Sequence, residues 1–363
     1  MYIDSLELQK FRNYETLSIS FQNGMNILYG ENAQGKTNIL EAVYIGATTR
    51  SHRGAKDKEI IRFGEESAHI RINMKKRNVG HKIDLTLRKN KPKSGEIDGL
   101  SIRRSAELFG MLPVIFFSPE DLSVVKNGPV GRRRFMDMEI CQLSRLYYTN
   151  LQNDKKVLDH RNHLLKDMQM KSGFSDMLDV LSLQLVKAGS DIIRERENFL
   201  NMMNEIIREI HRELTDGKEE IFLKYEKNVN EDDFEKVLKD KRKMEIRHGM
   251  TEVGPHRDDF AIIVNGIDVR TFGSQGQQRT AALSLKLAEI EMIRKILNDD
   301  PVLLLDDVMS ELDSKRREAL VKRLGNIQTI MTCTGYDEFI RKEEGHSKLF
   351  KITNGTIQEE ANG

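Results

Sequence analysis

The 363-residue sequence contains few cysteines and no long apolar run. Its two cysteines, Cys141 and Cys333, lie far apart without metal-ligand spacing, which indicates a reducing, cytoplasmic compartment. The longest uncharged apolar stretch, residues 111–117, has seven residues, whereas a helix that crosses a bilayer needs about twenty. Residues 1–4 supply neither a basic region nor an apolar core, so we expect no signal peptide and no membrane partner.

The length exceeds that of one ordinary domain, so we expect two lobes, or a core with an insertion. Charged residues make up 32% of the chain, above the usual quarter or so, which suits long solvated helices. His160 and His163 lie close together on a predicted helix without further ligands nearby. We interpret them as a solvated pair rather than a metal site.

A glycine-rich segment, GENAQGKT at residues 30–37, fits the pattern G-x-x-x-x-G-K-[ST]. An apolar run precedes it and a helical pattern follows it, which is the strand, loop and helix context that this motif requires. Backbone N–H groups of such a loop surround phosphate oxygens, and the helix N-terminus favours an anion. The sequence therefore predicts an ATP site made of Gly30, Glu31, Asn32, Ala33, Gln34, Gly35, Lys36 and Thr37.

A second segment supplies carboxylates. Residues 302–305 form a short apolar run that ends in Asp306 and Asp307, typical of a buried parallel strand with acids at its C-terminal edge. With a P-loop in the same chain, we predict that Asp306 and the Thr37 hydroxyl hold Mg²⁺. Asp307 is predicted to orient or deprotonate the attacking water, while Lys36 stabilises the phosphate charge.

A third segment, GSQGQQR at residues 273–279, precedes a helical pattern and lies shortly before the acidic strand. It resembles the signature loop of ABC-type ATPases, in which a serine and glycine backbone contact the γ-phosphate held by the opposite subunit. The resemblance implies that Ser274, Gly276 and Gln277 bind nucleotide in trans, so that one chain cannot complete the site. Residues 310–313 then stand where the D-loop of that class crosses the dimer interface.

The net charge of +1 conceals a basic segment. Residues 71–104 hold eleven lysines and arginines against three acids, which leaves the rest of the chain at −7. Such a segment is typical of a DNA phosphate footprint, since counterion release gives affinity without base contacts. The alternative is that these cations lie on ordinary solvated strand faces and bind no DNA. Arg132, Arg133 and Arg134, or Lys241, Arg242 and Lys243, are competing DNA contacts.

Alternating apolar residues predict strands at 3–8, 17–21, 68–74 and 83–87, and three Asp-Gly or Asn-Gly pairs predict hairpins at 98–99, 265–266 and 354–355. Together these strands suggest an antiparallel flap beside a parallel sheet. Between residues 132 and 215 the apolar spacing becomes helical and breaks near Gly173, which predicts an antiparallel helical hairpin whose helices are each about 50 Å long. A strand at 221–225 and a helix capped at Asn230 are expected next.

The chain resembles the RecF family of SMC-like ATPases from bacterial recombinational repair. Besides the three ATP motifs, the resemblance is carried by FRNYE near the N-terminus, PEDL at 119–122, RRRFMD at 132–137, TEVGPHRDD at 251–259 and LLLDDVMSELDSKRREAL at 303–320. It covers effectively the whole chain. It implies an ATP-dependent DNA-binding clamp that forms a homodimer around two ATPs, prefers gapped or single-strand/double-strand junction DNA, and cooperates with RecR and RecO.

Two departures from the wider ABC pattern predict slow hydrolysis that times release from DNA. Asp307 is one methylene shorter than the glutamate of transporter ATPases, and Thr332 and Thr334 occur where a switch histidine is expected. Arg50 or Arg53, just after the first helix, is a candidate phosphate contact, and an ordinary surface arginine is the alternative.

The predicted fold class is α/β, with an ABC-type P-loop ATPase head that contains a mixed sheet and an antiparallel flap. We expect residues 1–120 and 250–363 to form this head and residues 121–249 to form an inserted helical arm. Two other functions stay open. One is the motor subunit of a membrane transporter, and the other is a DNA scaffold that binds ATP without hydrolysing it.

Overall fold

The computed structural model describes residues 1–103, 105–169, 173, 175–334 and 347–360. Two compact units are present, one formed by Met1–Asp121 with Glu289–Gly363 and the other by Leu122–Ala288. The first part of the chain contains β1 (Tyr2–Phe11), β2 (Tyr14–Ser20), β3 (Met25–Gly30), α1 (Lys36–Thr48), α2 (Asp57–Ile60), β4 (Ser67–Lys76), β5 (Val79–Arg88), β6 (Ser94–Ile97), β7 (Leu100–Ser101) and β8 (Val114–Phe117).

The middle of the chain is mostly helical. Its elements are α3 (Leu122–Lys126), α4 (Pro129–Leu143), α5 (Arg145–Met168), α6 (Ser175–Leu214), β9 (Ile221–Glu226), α7 (Phe234–His248), β10 (Asp259–Val264), β11 (Ile267–Asp268), α8 (Val269–Phe272) and α9 (Gln275–Leu297). The chain then continues through β12 (Val302–Asp306), α10 (Val308–Glu311), α11 (Ser314–Leu324), β13 (Thr329–Thr334), β14 (Ser347–Thr353) and β15 (Thr356–Glu360).

The first unit is built around a mixed sheet with the strand order β15-β14-β3-β13-β12-β8, which is parallel except for the β14–β15 hairpin. Strands β3, β12 and β8 are almost continuously apolar because both faces of a parallel sheet are covered. The register pairs Thr334 with Gly30 and Thr332 with Asp306. The ends of β3, β13 and β12 therefore meet at one edge of the sheet.

A second, antiparallel sheet of the same unit has the order β2-β1-β4-β5-β6-β7. Its strands alternate between buried apolar and outward polar residues, as the sequence predicts. All three predicted hairpins are confirmed. At the first of them, Asp98 (φ 53°) and Gly99 (φ 80°) both adopt the left-handed conformation that a two-residue turn of this kind requires.

The second unit contains helices α3 to α8, part of α9 and the three-stranded sheet β11-β10-β9. Helices α5 and α6 run antiparallel, since Asn150 bonds to Asp191 and Arg161 bonds to Ser182. The predicted single first helix is wrong, because the chain breaks at Ser144, whose hydroxyl caps α5 by accepting from Tyr147 N. With 40 residues, α6 is about 60 Å long, more than the predicted 50 Å.

The predicted start of α7 is also wrong. Residues 231–233 form a turn and the helix begins at Phe234, whose ring is buried in a cluster with Leu185, Ile193 and Leu238. Tertiary packing of this ring, rather than the acidic run, sets the helix start.

Residues 250–288, which the sequence prediction assigned to the head, group with the second unit. The reason is that β10 pairs along its whole length with β9, and its Asp259 forms a two-bond ion pair with Arg132 on α4. Within the described residues, no helix is long and apolar enough to cross a membrane.

Candidate functional site

A cleft of about 210 Å³ opens at the edge of the parallel sheet where β3, β12 and β13 end. Its wall combines the predicted P-loop with the predicted acidic pair. The lining residues are Asn32, Ala33, Gln34, Gly35, Lys36, Thr37, Asn38, Arg53, Asp306, Asp307, Thr332 and Thr334. The structure thus brings together two sequence segments that lie far apart in the chain.

Lys36 lies at the start of α1 and turns its ammonium group back onto its own loop. Nζ donates to the carbonyl oxygens of Gly30 and Glu31, both at 2.6 Å. Burial lowers the pKa of Lys36, whereas the neighbouring carboxylates of Asp307 and Asp306 act in the opposite direction. The loop is therefore already closed around a cationic group.

The two predicted metal ligands are in contact. Thr37 Oγ1 donates to Asp306 Oδ1 at 2.8 Å, and Thr332 Oγ1 lies at the same distance from that oxygen. Oxygen donors of this kind suit Mg²⁺, which prefers carboxylate, hydroxyl and water ligands. Among the described residues, no group of three or more His, Cys, Asp or Glu could hold a metal ion.

Asp307 follows Asp306 with a left-handed backbone (φ 53°), and its N–H donates to Thr332 Oγ1 at 3.0 Å. Burial raises the pKa of the Asp307 carboxyl, and the adjacent charge of Asp306 raises it further. Such a carboxylate accepts a proton more readily than an exposed aspartate does.

The β1–β2 turn braces the P-loop, a contact that the sequence reasoning missed. Asn13 donates to Gln34 O at 3.2 Å and accepts from Asn38 Nδ2 at 2.8 Å, while Tyr14 Oη donates to Gly35 O at 3.1 Å. Asn354, in the C-terminal hairpin, donates its N–H to Gln34 Oε1. In the sequence, FRNYE carries only the family resemblance, since no local pattern connects it to the P-loop.

Arg53 lines the cleft and Arg50 does not, which separates the two arginines that the sequence left open. The backbone N–H of Arg53 donates to Ser51 Oγ, and that hydroxyl donates to Glu41 at 2.5 Å. Glu41 is fully buried on α1 and also accepts two bonds from Arg12, at 2.8 and 2.9 Å. Burial opposes ionisation of Glu41, but these bonds outweigh burial and lower its pKa.

The predicted signature residues Ser274, Gly276 and Gln277 lie in the second unit, and the residues that line the cleft do not include them. Ser274 N donates to Gln277 Oε1 at 3.0 Å, and Gln277 N donates to Ser274 Oγ at 3.2 Å. This reciprocal pair is a capping box at the start of α9. The Gln277 side chain is engaged within its own unit, and its predicted contact with nucleotide stays a prediction.

Most cations of the basic segment have partners inside the protein. Arg71 and Lys82 pair with Asp84, while other pairs join Lys89 to Glu66 and Lys93 to Asp57. The described side chains of the segment that carry no such partner are Arg77, Lys91 and Arg103. Arg104 lies outside the described residues. Arg132 is buried against Asp259, so it is structural rather than available to DNA.

Comparison with known proteins identifies the family. The sequence model described as the RecF/RecN/SMC N terminal domain matches residues 2–358. Proteins named "DNA replication and repair protein RecF" are 54% identical over 358 residues in Lachnoclostridium phytofermentans and 50% identical over 362 residues in Lachnospira eligens. These alignments cover 99% of this chain and at least 99% of each relative. The chain belongs to the RecF family.

A solved structure titled as the recombination mediator protein RecF with ATP in the RecFOR pathway superimposes with a TM-score of 0.93. It is 33% identical in sequence, and the match covers 99% of this chain and 98% of that RecF protein. The Smc head domain from Pyrococcus furiosus, at 14% identity and a TM-score of 0.55, shares the fold alone. The α/β fold predicted from the sequence, with an ABC-type P-loop head, is confirmed.

Proposed function

We propose that this protein is an ATP-dependent DNA-binding clamp of recombinational repair. The observation that carries the proposal is the contact between the P-loop threonine and the acidic strand, with Thr37 Oγ1 2.8 Å from Asp306 Oδ1. Membership of the RecF family supports the same function. Family membership, rather than this contact, favours the repair protein over the motor subunit of a membrane transporter.

ATP is proposed to place its phosphates in the P-loop, where backbone N–H groups and Lys36 surround them. Lys36 would exchange the carbonyls of Gly30 and Glu31 for phosphate oxygens, a short movement because both already lie within the loop. Thr37 and Asp306 would hold Mg²⁺, which supplies positive charge beside the phosphates. Arg53, exposed on the cleft wall, is a further proposed phosphate contact.

The dimer is proposed to complete this site. Ser274 is exposed at the N-terminus of α9, and its hydroxyl accepts a bond from Gln277 N, which leaves the hydroxyl hydrogen for an outside acceptor. A γ-phosphate held by a second copy is such an acceptor. Two ATPs would therefore be sandwiched between two copies.

Hydrolysis is proposed to be slow and to time release from DNA. Asp307 would take the proton of the attacking water, and its raised pKa favours that role. Its side chain is short, and the neighbouring Thr332 is already bonded to Asp306 and to the Asp307 backbone. Neither threonine at the end of β13 can supply the second proton carrier that a histidine would provide.

Gapped or junction DNA is the proposed ligand, with RecR and RecO as partners for recombinase loading. Support for this finer statement comes from the family alone, since the solved relative is titled as a mediator of the RecFOR pathway. The cations of the basic segment that have no partner among the described residues, including Lys91, are candidate phosphate contacts.

The experiment is fluorescence anisotropy with a gapped duplex and a blunt duplex, each with and without ATP, combined with single-turnover hydrolysis. We expect ATP to strengthen binding to the gapped duplex and hydrolysis to be slow. DNA affinity that does not respond to ATP would contradict the clamp. ATP-dependent DNA binding without any hydrolysis would favour the non-hydrolysing scaffold.

A further inference from the structure

The loop that carries Ser274 is attached to a residue outside the ATP motifs. Gln277 uses its amide oxygen to accept from Ser274 N, and its amide nitrogen donates to Glu219 Oε1 at 2.9 Å. Glu219 lies between the end of α6 and β9, 58 positions earlier in the chain. The capping box of α9 therefore depends on an acceptor supplied by this linker.

Glu219 also lies close to a buried histidine. Its second oxygen, Oε2, lies 3.3 Å from His211 Nε2 in the last turn of α6. The His211 ring is fully buried, and its Nδ1 lies 2.8 Å from Ser284 Oγ on α9. A continuous chain of contacts thus connects the end of α6 with Ser274.

The direction of the Ser274 hydroxyl depends on this chain. Gln277 N donates to Ser274 Oγ only while the first turn of α9 keeps its shape, and the Gln277 amide maintains that shape by bonding at both ends. Without the Glu219 acceptor, the amide nitrogen loses its partner and the side chain can turn toward water. The Ser274 hydroxyl would then sample several directions instead of one.

We propose that Glu219 is a positioning residue that orients Ser274 through Gln277 for its contact with the nucleotide of a second copy. This inference rests on the proposed ATP-sandwiched dimer and deepens it by adding a residue beyond the three motifs. Glu219 touches neither nucleotide nor metal in this arrangement. Its side chain is 20% exposed, so its replacement leaves no large cavity.

The test measures two constants for each variant. Sedimentation velocity with a slowly hydrolysed ATP analogue gives the dimer dissociation constant, and titration of a fluorescent ATP analogue at low protein concentration gives the nucleotide affinity of the monomer. We expect Glu219→Ala to raise the dimer dissociation constant about tenfold for each of the two Ser274 loops in the dimer. A tenfold change corresponds to the loss of one charge-assisted hydrogen bond. Monomer affinity for ATP should not change, because the P-loop cleft is untouched.

Three matched variants separate positioning from general damage. Glu220→Ala makes the same truncation at the exposed neighbouring residue and should dimerise like the wild type. Glu219→Gln keeps one acceptor oxygen for Gln277 and should restore most of the dimerisation. In a Gln277→Ala background, Glu219→Ala should have little further effect, since the proposed route is already broken.

Each opposing result overturns a different statement. A wild type that fails to dimerise with the analogue overturns the proposed function and this inference together. A wild type that dimerises, beside a Glu219→Ala variant that dimerises equally well, overturns the inference alone. Additive losses in the double variant, or a parallel loss of monomer nucleotide affinity, would show that Glu219 does not act through Gln277 on Ser274.

Discussion

Thr37 Oγ1 donates to Asp306 Oδ1 at 2.8 Å, although the two residues are 269 positions apart in the chain. The contact exists because β3 and β12 are parallel neighbours of β13 and their carboxyl ends meet at one edge. The start of α1 places the Thr37 hydroxyl at this edge, and the end of the buried strand β12 places the Asp306 carboxylate beside it.

Lys36 and Asp307 should fail in different ways. Lys36→Met removes the fixed charge of the P-loop and should abolish nucleotide binding. Asp307→Asn should bind ATP like the wild type and hydrolyse it about a hundredfold more slowly, because an amide holds water without accepting its proton. Equilibrium binding and single-turnover hydrolysis measure the two effects. Hydrolysis by Asp307→Asn at the wild-type rate would remove Asp307 from the catalytic role.

Gly35 cannot accept a side chain. Its φ is 108°, and an added Cβ would lie 2.5 Å from Asn13 Nδ2 and 2.7 Å from Tyr14 Oη. Gly35→Ala should therefore displace the loop and weaken ATP binding at least tenfold, given a strain of roughly 1–3 kcal/mol. Gly80→Ala, where an added Cβ would meet no described atom within 4 Å, is the matched control. Equal ATP affinity in the two variants would show that the β1–β2 turn does not brace the P-loop.

Asp154 should make stability depend on pH. Burial raises the pKa of this carboxyl to about 7, and its Oδ1 lacks a hydrogen-bond partner in the described structure. Between pH ~4 and ~7 the unfolded chain has released this proton while the folded protein retains it. The free energy of unfolding should therefore fall by about 1.4 kcal/mol per pH unit as pH rises through this window.

The measurement for Asp154 is urea denaturation at pH 5, 6, 7 and 8. Asp154→Asn should lose this component of the pH dependence, and Asp159→Asn, at an exposed position on the same helix, should keep it. Identical pH profiles for the wild type and Asp154→Asn would mean that the carboxyl ionises normally in the folded protein.

Lys91 should contribute to DNA binding and Lys93 should not. Lys91 is exposed and has no partner among the described residues, whereas Lys93 Nζ donates to Thr49 O at 2.6 Å and to Asp57 at 3.0 Å. Lys91→Gln should reduce the slope of log affinity against log salt by about 0.9 for each copy that contacts duplex DNA. Lys93→Gln serves as the control. If both variants keep the wild-type slope in an anisotropy salt series, the DNA site lies outside this segment.

The P-loop, the acidic strand and the hairpin turns could be predicted because each is a local pattern with its own physical requirement. The Asp98-Gly99 pair, for example, predicts a hairpin turn in which both residues adopt the left-handed backbone conformation. The contacts of Asn13 with Gln34 and of Glu219 with Gln277 could not be predicted, since they join segments whose proximity is decided by the packing of whole elements.

The basic segment shows a second kind of property that the sequence alone cannot predict, namely which of its cations are free to contact DNA. Its charge count is correct, but charge along the chain does not reveal which cations are already neutralised by a neighbouring strand. Asp84, on β5, forms ion pairs with both Arg71 and Lys82. These bonds lower the pKa of Asp84 because they outweigh the effect of burial. The break at Ser144 was missed for a related reason, because a cap between two helices interrupts the apolar spacing very little.

The central claim, that two copies share each ATP site, is tested most directly by mixing two inactive variants. Lys36→Met lacks a working P-loop but keeps Ser274, and Ser274→Arg keeps its P-loop but lacks the serine. In a mixed dimer, the P-loop of the Ser274→Arg chain meets the intact Ser274 of the Lys36→Met chain. We predict that neither variant alone hydrolyses ATP above background and that the equimolar mixture does. A mixture no more active than the sum of its components, or full activity of Ser274→Arg alone, would contradict the shared site.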